Sequence, residues 1–250
     1  MIGLMITHLI AAGRMETRVA MNLVSNAQLA TAADGAVYHA IFHFLESEDG
    51  KHWMANGEMH DVTIGAVAVS VRMMDEAGKV NPNIVSEGLI ADLLRVIGVA
   101  TGQSRAQATA ITEWIRPADL DMTGSATDAY RSAGLDYGPP GAPFETLDEI
   151  GRVLGMTPEI AAKLRPHLSL WTANDPDRKT ADPDVSKALE GQPRQSDGAM
   201  PLVQRQFFLT IEATASGPSG ESFRRRAIVG INPSSLRGFK ILAWEAPLAE

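Results

Sequence analysis

The sequence contains no cysteine, little basic charge and no long uninterrupted hydrophobic run. The absence of cysteine excludes disulfide bonds, thiol nucleophiles and cysteine metal ligands, but it does not indicate a cellular compartment. The formal net charge of -8 argues against non-specific nucleic-acid binding, because such binding needs a dense basic surface. The remaining composition is that of an ordinary globular protein, and 250 residues allow one or two domains with a sizeable core.

The first 48 residues contain no proline and predict one long helix that organises the rest of the chain. From Arg14 onward the pattern is amphipathic, and the helix would be about 70 Å long, which exceeds the width of a small domain. The predicted apolar stripe consists of Val19, Leu23, Ala27, Ala30, Val37, Ile41 and Phe44. We therefore expect the rest of the chain to pack on the second half of this helix.

The opening run from Met1 to Ala12 is apolar nearly all round. A membrane-spanning helix needs about 20 apolar residues, and neither a positive segment nor a small-residue cleavage site flanks this run. Two interpretations remain open from the residues alone. The run is either the buried start of a helix or the end of a longer hydrophobic span whose beginning is missing.

The later elements predict a sheet that is interrupted by a helical insertion, which is an α+β fold. Strand patterns occur at 61–73, 204–214, 222–231 and 240–244, and every periodic run from 84 to 168 is helical. Ser86 and Ser104 can each cap a helix, 119–143 is expected to be a loop, and 168–172 is strand-like. The expected boundaries are 1–78 for the long helix and first strands, 79–168 for the helical domain, and 169–250 for a loop and the closing strands.

Acidic residues in two loops are candidate metal ligands. Asp119 and Asp121 lie two apart beside a glycine, with Asp128 downstream, and carboxylates so spaced can converge on Ca²⁺, which takes six to eight oxygens. The alternative is a solvated acidic loop. A second acidic cluster is formed by Asp175, Asp177, Asp182 and Asp184, and neither cluster matches an EF-hand.

No catalytic motif is present, which disfavours an enzyme. A metal-dependent enzyme built on Asp119 and Asp121 would still lack a general base with an oriented partner. His39 and His43 lie four apart on the long helix and can share a metal, or they simply flank its apolar face. The other histidines have no partner at ligand spacing.

Residues 144–168 resemble a helix-hairpin-helix, a unit that often grips DNA phosphates through exposed backbone amides. The surrounding segment from 80 to 168 has more acidic than basic residues, so a packing hairpin is the competing interpretation. Arg224, Arg225 and Arg226 form the one basic run. Because strand residues alternate between faces, we interpret this run as the guard of an edge strand rather than a nucleic-acid patch.

Several short motifs occur together in an order that resembles one known family. Arg14, Glu16 and Asn22 lie on the long helix, which continues into Ala32-Ala33-Asp34-Gly35. Three further motifs follow: Asp75-Glu76-x-Gly78-Lys79-x-Asn81-x-Asn83; Glu113-Trp114 with Asp119-x-Asp121, Gly124 and Tyr130; and Phe144-x-Thr146-x-x-Glu149-Ile150 with Gly155-Met156-Thr157-Pro158. Across residues 14 to about 172 the chain resembles the general secretion pathway protein K family, the large minor pseudopilins of type II secretion systems.

The resemblance implies a pilin-like fold, in which a long N-terminal helix packs on a small antiparallel sheet that carries a large inserted helical domain. It also implies a non-enzymatic protein that is anchored in the inner membrane, faces the periplasm and sits at the pseudopilus tip. The implied partners are the other minor pseudopilins and the major pseudopilin, with which it helps to start or cap assembly for export of folded proteins. Members of the family are reported to bind calcium in the helical domain, so the resemblance favours Asp119, Asp121 and Asp128 as ligands.

The sequence also departs from the family pattern. The family's basic leader and full hydrophobic span are not seen, so the resemblance favours a missing beginning to the run at Met1–Ala12. The stretch Asp175–Thr180 does not match the expected segment, and Ser125 and Ala126 replace an expected acidic residue after Gly124. The competing hypothesis remains a helix-hairpin-helix protein that binds or takes up DNA.

Overall fold

The computed structural model describes residues 2–48, 50–117, 125–192, 207–232 and 238–247. The chain forms two compact units, one made of Met1–Asp75 with Pro201–Glu250 and the other of Glu76–Met200. The first unit combines a helix with an antiparallel sheet, and the second is built from helices. The mixed helix and sheet content confirms the α+β class that the sequence predicts.

The first unit begins with one continuous helix, α1 (Ile2–Leu45), as the absence of proline predicts. The second half of α1 packs on the sheet and buries Leu29, Ala32, Ala33, Ala36, Val37, Ala40 and Ile41. Alanine has the highest helix propensity and little bulk, so these positions favour the helix and let it lie close to the sheet. No helix in the described ranges has both the length and the apolar character needed to cross a membrane.

Five antiparallel strands form one sheet whose spatial order is the order of the chain. The strands are β1 (Asn56–Ile64), β2 (Val67–Asp75), β3 (Phe207–Ser216), β4 (Ser222–Ile231) and β5 (Phe239–Glu245). The strand pattern at 61–73 contains the turn between β1 and β2, where Gly65 adopts a φ of 63° that glycine tolerates best. In β2 the predicted alternation is confirmed, because Val69, Val71 and Met73 are buried beneath α1 and the residues between them are more exposed.

The basic run lies on β4, an inner strand, so its interpretation as an edge-strand guard is wrong. Whether a strand is an edge depends on the sheet order, which the local pattern does not contain. Alternation directs Arg225 to the face that carries α1 and Arg226 to the opposite face. There, Glu212 pairs with Arg72 at 2.5 Å and lies 4.0 Å from the Nε atom of Arg226.

The second unit contains α2 (Glu87–Val96), α3 (Thr101–Ile115), α4 (Ser125–Ser132), α5 (Pro158–Leu164) and α6 (Pro183–Leu189). Short 3-10 turns occupy Glu76–Gly78, Leu147–Arg152 and Arg165–His167. Leu93 and Leu94 of α2 and Ile111 of α3 lie at the centre of its core and are completely or almost completely buried. This core is separate from the one beneath α1.

The helix starts follow capping chemistry, with one exception. The Ser86 hydroxyl accepts the Leu89 amide and caps α2, and Thr157 with Pro158 opens α5, as the sequence predicts. Ser104 does not cap a helix, because α3 begins three residues earlier after Ala100. Ser104 lies buried in the first turn instead, and its hydroxyl donates to the carbonyl of Thr101.

Two segments differ from the sequence expectation. The expected loop at 119–143 contains α4, whose eight residues are mostly polar and include only one large apolar side chain, Tyr130. The strand-like stretch at 168–172 forms only an isolated parallel bridge between Leu168 and Val80. Residues 169–192, which the sequence boundaries place with the closing strands, belong instead to the helical unit, where Val185 and Leu189 of α6 join the core.

Candidate functional site

Between residues 18 and 24, α1 exposes several large apolar side chains. Val19, Met21, Leu23 and Val24 are each more than half exposed, and Met21 reaches 66%. Two of them, Val19 and Leu23, belong to the predicted apolar stripe, which meets the sheet only farther along the helix. The polar residue Asn22 is exposed between them. A concentration of exposed large apolar side chains is nevertheless typical of an interaction surface.

The same kind of surface continues on the half of α1 that packs on the sheet. Tyr38, Phe42 and Leu45 follow one another at helical spacing on the side away from Ala36, and Phe42 is 61% exposed. From residue 19 to residue 45 the helix has no lysine or arginine and a single acidic residue, Asp34. The outer face of a helix that packs on a sheet is normally polar, so an uncharged aromatic stripe here is a second indication of a docking surface.

Two polar contacts hold α1 in place and leave this surface free. The Arg225 guanidinium pairs with Asp34 at 2.6 Å and lies over the Phe223 and Trp244 rings, 5.1 and 5.2 Å from their centres. At the turn between β3 and β4, Glu221 accepts the Ser25 hydroxyl at 2.8 Å. The Ser25 hydroxyl and nearby backbone amides hold the pKa of Glu221 below its ordinary value, which favours the charged form that makes this contact.

Of the three predicted calcium ligands, the structure describes only Asp128. Asp119 and Asp121 lie outside the described residues. Asp128 lies on α4, where its carboxylate is exposed and pairs at 2.5 Å with Arg131, one turn later. An exposed ion pair contributes little stability, so the assignment of Asp128 as a ligand stays a prediction.

Part of the second acidic cluster meets a histidine that the sequence interpretation left without a partner. His167 Nδ1 lies 2.8 Å from Asp182, and Nε2 lies 3.6 Å from Asp184. The other carboxylate oxygen of Asp182 caps α6 by accepting the amides of Asp184 and Val185. His167 and Asp182 lie 15 positions apart in the sequence, so local spacing does not predict their contact.

These three side chains are the one group in the described ranges whose ligand atoms lie as close together as a metal site requires, within 4.8 Å. A carboxylate nevertheless faces each nitrogen of the His167 ring, and the contact to Asp182 is a direct hydrogen bond that leaves no space for an ion. Burial raises the pKa of Asp182, but the hydrogen bonds from His167 and two backbone amides outweigh it and lower that pKa. These hydrogen bonds therefore link the turn at Arg165–His167 to the start of α6.

His39 and His43 do not form a metal site with a third ligand among the described residues. Their ring centres lie 4.5 Å apart, and both rings contact Trp53. His60 of β1 lies on Trp53 as well, with 4.0 Å between ring centres. Three of the six histidines thus lie around one tryptophan. Helical spacing predicts only that His39 and His43 lie close to each other.

Comparison with known proteins finds one matching family model and a similar solved structure. Residues 71–173 match the family model described as type II secretion system (T2SS), protein K. A chain in the crystal structure of the GspK-GspI-GspJ complex from the type 2 secretion system of enterotoxigenic Escherichia coli has a similar fold. Its TM-score is 0.63 at 14% sequence identity, and the match covers 94% of this chain and 100% of that chain. Within residues 71–173 the chain matches the type II secretion protein K family. A search of curated protein sequences finds no match.

The most recognisable protein K motif, Asp75–Asn83, ties distant loops of the helical unit together. Lys79 pairs with Glu76 at 2.6 Å, and both side chains are almost fully buried. Asn81 donates to the Thr172 carbonyl at 2.6 Å. Gly78 lies against backbone, because a Cβ atom there would be only 2.3 Å from the Thr180 carbonyl oxygen.

The last residue of the motif, Asn83, makes a two-sided backbone contact. Its side-chain amide donates to the Phe144 carbonyl at 3.1 Å, and its side-chain oxygen accepts the Phe144 amide at 2.8 Å. This geometry imitates a short piece of sheet pairing. The polar residues of the protein K motif therefore have an architectural role.

The helix-hairpin-helix segment uses its backbone internally. The Leu154 amide donates to the Tyr130 hydroxyl at 2.9 Å, and the Met156 amide donates to the Val153 carbonyl. Burial raises the pKa of Tyr130 despite its contact with Leu154, so the hydroxyl stays neutral. Since DNA-binding hairpins need such amides free for phosphate, these contacts favour the interpretation as a packing hairpin.

Proposed function

We propose that this protein is a non-enzymatic minor pseudopilin at the tip of a type II secretion pseudopilus, where it helps to start or cap assembly for export of folded proteins. The observation that carries the proposal is the uncharged, exposed surface of α1. That surface consists of Val19, Met21, Leu23, Val24, Tyr38, Phe42 and Leu45, and is called the α1 surface below. It is too apolar to face water along its whole length.

The proposed partners are the other two minor pseudopilins and the major pseudopilin of the same secretion system. The similar structure was determined in a complex with GspI and GspJ, which supports partners of this kind. Helices that associate side by side bury apolar residues at spacings of three and four, and Tyr38, Phe42 and Leu45 have this spacing. The pairing of Asp34 with Arg225 inside the protein leaves the α1 surface without a charge that would oppose burial.

The placement at the tip follows from the size of the helical unit. Glu76–Met200 makes up half of the chain and is inserted between β2 and β3 of a unit that we take to be pilin-like. A subunit with such an addition is too bulky to repeat within a thin fibre. It can join other pseudopilin helices at the end of the fibre, and there it blocks further growth.

We also propose that the protein is anchored in the inner membrane and faces the periplasm. The apolar opening of α1, Met1–Ala12, supports contact with lipid, and the helix is continuous from there into the α1 surface. In this arrangement α1 leaves the bilayer and meets its partner helices directly. Both compact units then lie on the periplasmic side.

Calcium binding in the helical domain is a proposal that rests on the family resemblance. Asp119 and Asp121 are the proposed ligands, since carboxylates two apart in a loop suit a hard cation. Asp128, which pairs with Arg131, would join them only by giving up that contact. The ion would act by holding the loop between α3 and α4 in one conformation.

Co-purification with the other two minor pseudopilins tests the proposal. We expect Val24→Glu and Phe42→Glu each to weaken the complex at least about tenfold, because each places a charge where an apolar side chain of about 1.5–3 kcal/mol is buried. Gln103→Glu, on the exposed face of α3, is the matched control and should leave binding unchanged. Wild-type protein that binds none of the other pseudopilins would contradict the proposal.

A DNA-binding function is not supported as a second candidate. The hairpin amides of Leu154 and Met156 are engaged inside the unit, and the chain carries a net charge of -8. Arg165 at the end of the hairpin pairs with Asp148 at 2.9 Å. Each of these features opposes a phosphate-binding surface.

A further inference from the structure

The histidines that surround Trp53 form a stack of half-buried rings between the end of α1 and the first strand. His43 of α1 and His60 of β1 lie nearly parallel to the two faces of Trp53, at 4.5 and 4.0 Å between ring centres. His39 lies 4.5 Å from His43 and meets the Trp53 edge. The Trp53 amide donates to the His43 carbonyl at 3.0 Å. This backbone bond and the ring contacts together hold the segment before β1, and His60 of β1, against the end of α1.

Two imidazole nitrogens in this stack are buried without a hydrogen-bond partner. These are Nδ1 of His39 and Nε2 of His60. A neutral imidazole can direct its bare, unprotonated nitrogen into such a place, but an imidazolium carries a proton on both nitrogens and needs an acceptor for each. The geometry therefore suits a neutral ring at each position, because a proton on either buried nitrogen would have no acceptor.

In the described part of the chain, the charged groups on the surrounding elements do not pair with the histidines of the stack. On α1, Asp34 pairs with Arg225, and in the loop after α1 the Glu48 carboxylate pairs with Lys51 while Glu46 accepts backbone amides. His52 in that loop contacts Phe44 and the Glu46 carbonyl rather than the stack.

The strands offer no compensation either. On β1 the Asp61 carboxylate accepts the Ser70 hydroxyl and Glu58 is exposed, and on β2 the Arg72 guanidinium pairs with Glu212. Among the described residues, no carboxylate forms an ion pair with His39, His43 or His60.

The rings differ in their surroundings. His43 lies in the last turn of α1, and its Nδ1 lies 2.7 Å from the Lys51 carbonyl. Burial, and next the proximity of His43, lower the pKa of His39. A proton added to Nδ1 of His39 would also find no acceptor.

We propose that His39, His43, Trp53 and His60 form an acid-sensitive clasp that holds β1 against the end of α1 at neutral pH and releases it in acid. The sign follows from linkage. A histidine that is harder to protonate in the closed state stabilises it fully above about pH 6.5, and this stabilisation is lost as the pH falls through the closed-state pKa. The clasp would make the α1–β1 contact responsive to acidification of its surroundings.

Hydrogen–deuterium exchange of the full chain tests the clasp. Protection of the amides of 56–64 is measured at pH 7.5 and pH 5.0, corrected for intrinsic exchange and compared with the amides of β3 in the same sample. We expect protection of β1 to fall at least about threefold relative to β3, because the lowered pKa of His39 makes the closed state lose stability as the pH falls. An unchanged ratio would overturn the proposal.

Matched variants assign the response to the stack. The double variant His39→Gln with His60→Gln should lose the pH dependence, because glutamine does not protonate. His52→Gln, which removes a nearby histidine outside the stack, should retain it. If the double variant does not fold, each single variant should reduce the response. A response that persists in the histidine variants, or that disappears in His52→Gln, contradicts the assignment to His39 and His60.

Discussion

At the scale of single residues, Gly78 is the position where the protein K motif has the least space. The glycine has an ordinary φ, so its requirement is not conformational freedom but the approach of the Thr180 backbone. The side chains around it add to this constraint, since Lys79 and Glu76 form a nearly buried pair. A buried pair of this kind is costly to disrupt, because removal of one partner leaves an uncompensated charge.

We expect Gly78→Ala to destabilise the helical unit by about 1–3 kcal/mol, because the added methyl group forces two backbone segments apart. The free energy of opening of α2 and α3, measured by hydrogen exchange in a urea series, gives the value. Gly102→Ala in α3 is the control, since a Cβ atom there meets nothing within 4 Å. This control should be neutral or stabilising by roughly 0.5–1 kcal/mol. Equal effects at the two glycines would show that packing at Thr180 is not the cause.

Asp182 leads to a prediction on pH dependence at the same scale. Because its pKa is lowered in the folded protein, its carboxylate stabilises the fold above about pH 4, and the stabilisation is lost as the pH falls through the folded-state pKa. We expect Asp182→Asn to keep the helix cap but to cost roughly 1 kcal/mol at pH 7, with a smaller loss below pH 4. Urea unfolding at pH 7 and pH 3.5 measures this. Asp128→Asn on the exposed face of α4 should change neither value, and a loss of the same size at both pH values for Asp182→Asn would exclude its charge as the cause.

At the scale of elements, the sequence predicts structure well where the signal is local and periodic. The absence of proline and the spacing of Val37 and Ile41 predict α1, and the alternation through Val69 and Val71 predicts β2. The prediction fails where the deciding contact is distant. Ser104 has the chemistry of a cap, yet the chain already enters α3 after Ala100.

The candidate site can also be predicted from the sequence only where the signal is local. The exposed surface of α1 is foreseeable in part, because the helix is longer than the domain that it supports. The contact of His167 with Asp182 and the position of His60 on Trp53 are not foreseeable, because only the folded chain brings these residues together. The inner position of Arg225 likewise follows from the order of the strands and not from its neighbours in sequence.

The loop between α3 and α4 carries the prediction on calcium. We expect calcium to raise the thermal unfolding temperature of the wild-type protein and to lose this effect in Asp119→Asn with Asp121→Asn, because only ligand binding to the folded state stabilises it. Differential scanning fluorimetry with calcium and with magnesium measures the shift. Asp128→Asn should retain most of the effect, since its carboxylate already pairs with Arg131. Calcium stabilisation that survives the double variant would place the ion elsewhere.

At the scale of the whole molecule, the two compact units have different tasks in the proposed function. The unit with α1 and the sheet provides the α1 surface, and small residues such as Ala36 let the helix pack on the sheet while Phe42 remains outside. The helical unit contributes bulk that is held together by the motif from Asp75 to Asn83. A fibre-tip subunit needs both features, one surface that binds neighbours and a body that does not repeat.

Site-specific photocrosslinking from the α1 surface tests this account most directly. A benzophenone amino acid is placed at residue 42 in the protein expressed with its own secretion system, and the same probe at residue 103 on α3 is the control. The account predicts crosslinks from residue 42 to the first helix of another minor pseudopilin and none from residue 103. No crosslink from residue 42, or crosslinks only to unrelated proteins, in cells that secrete normally, would contradict it.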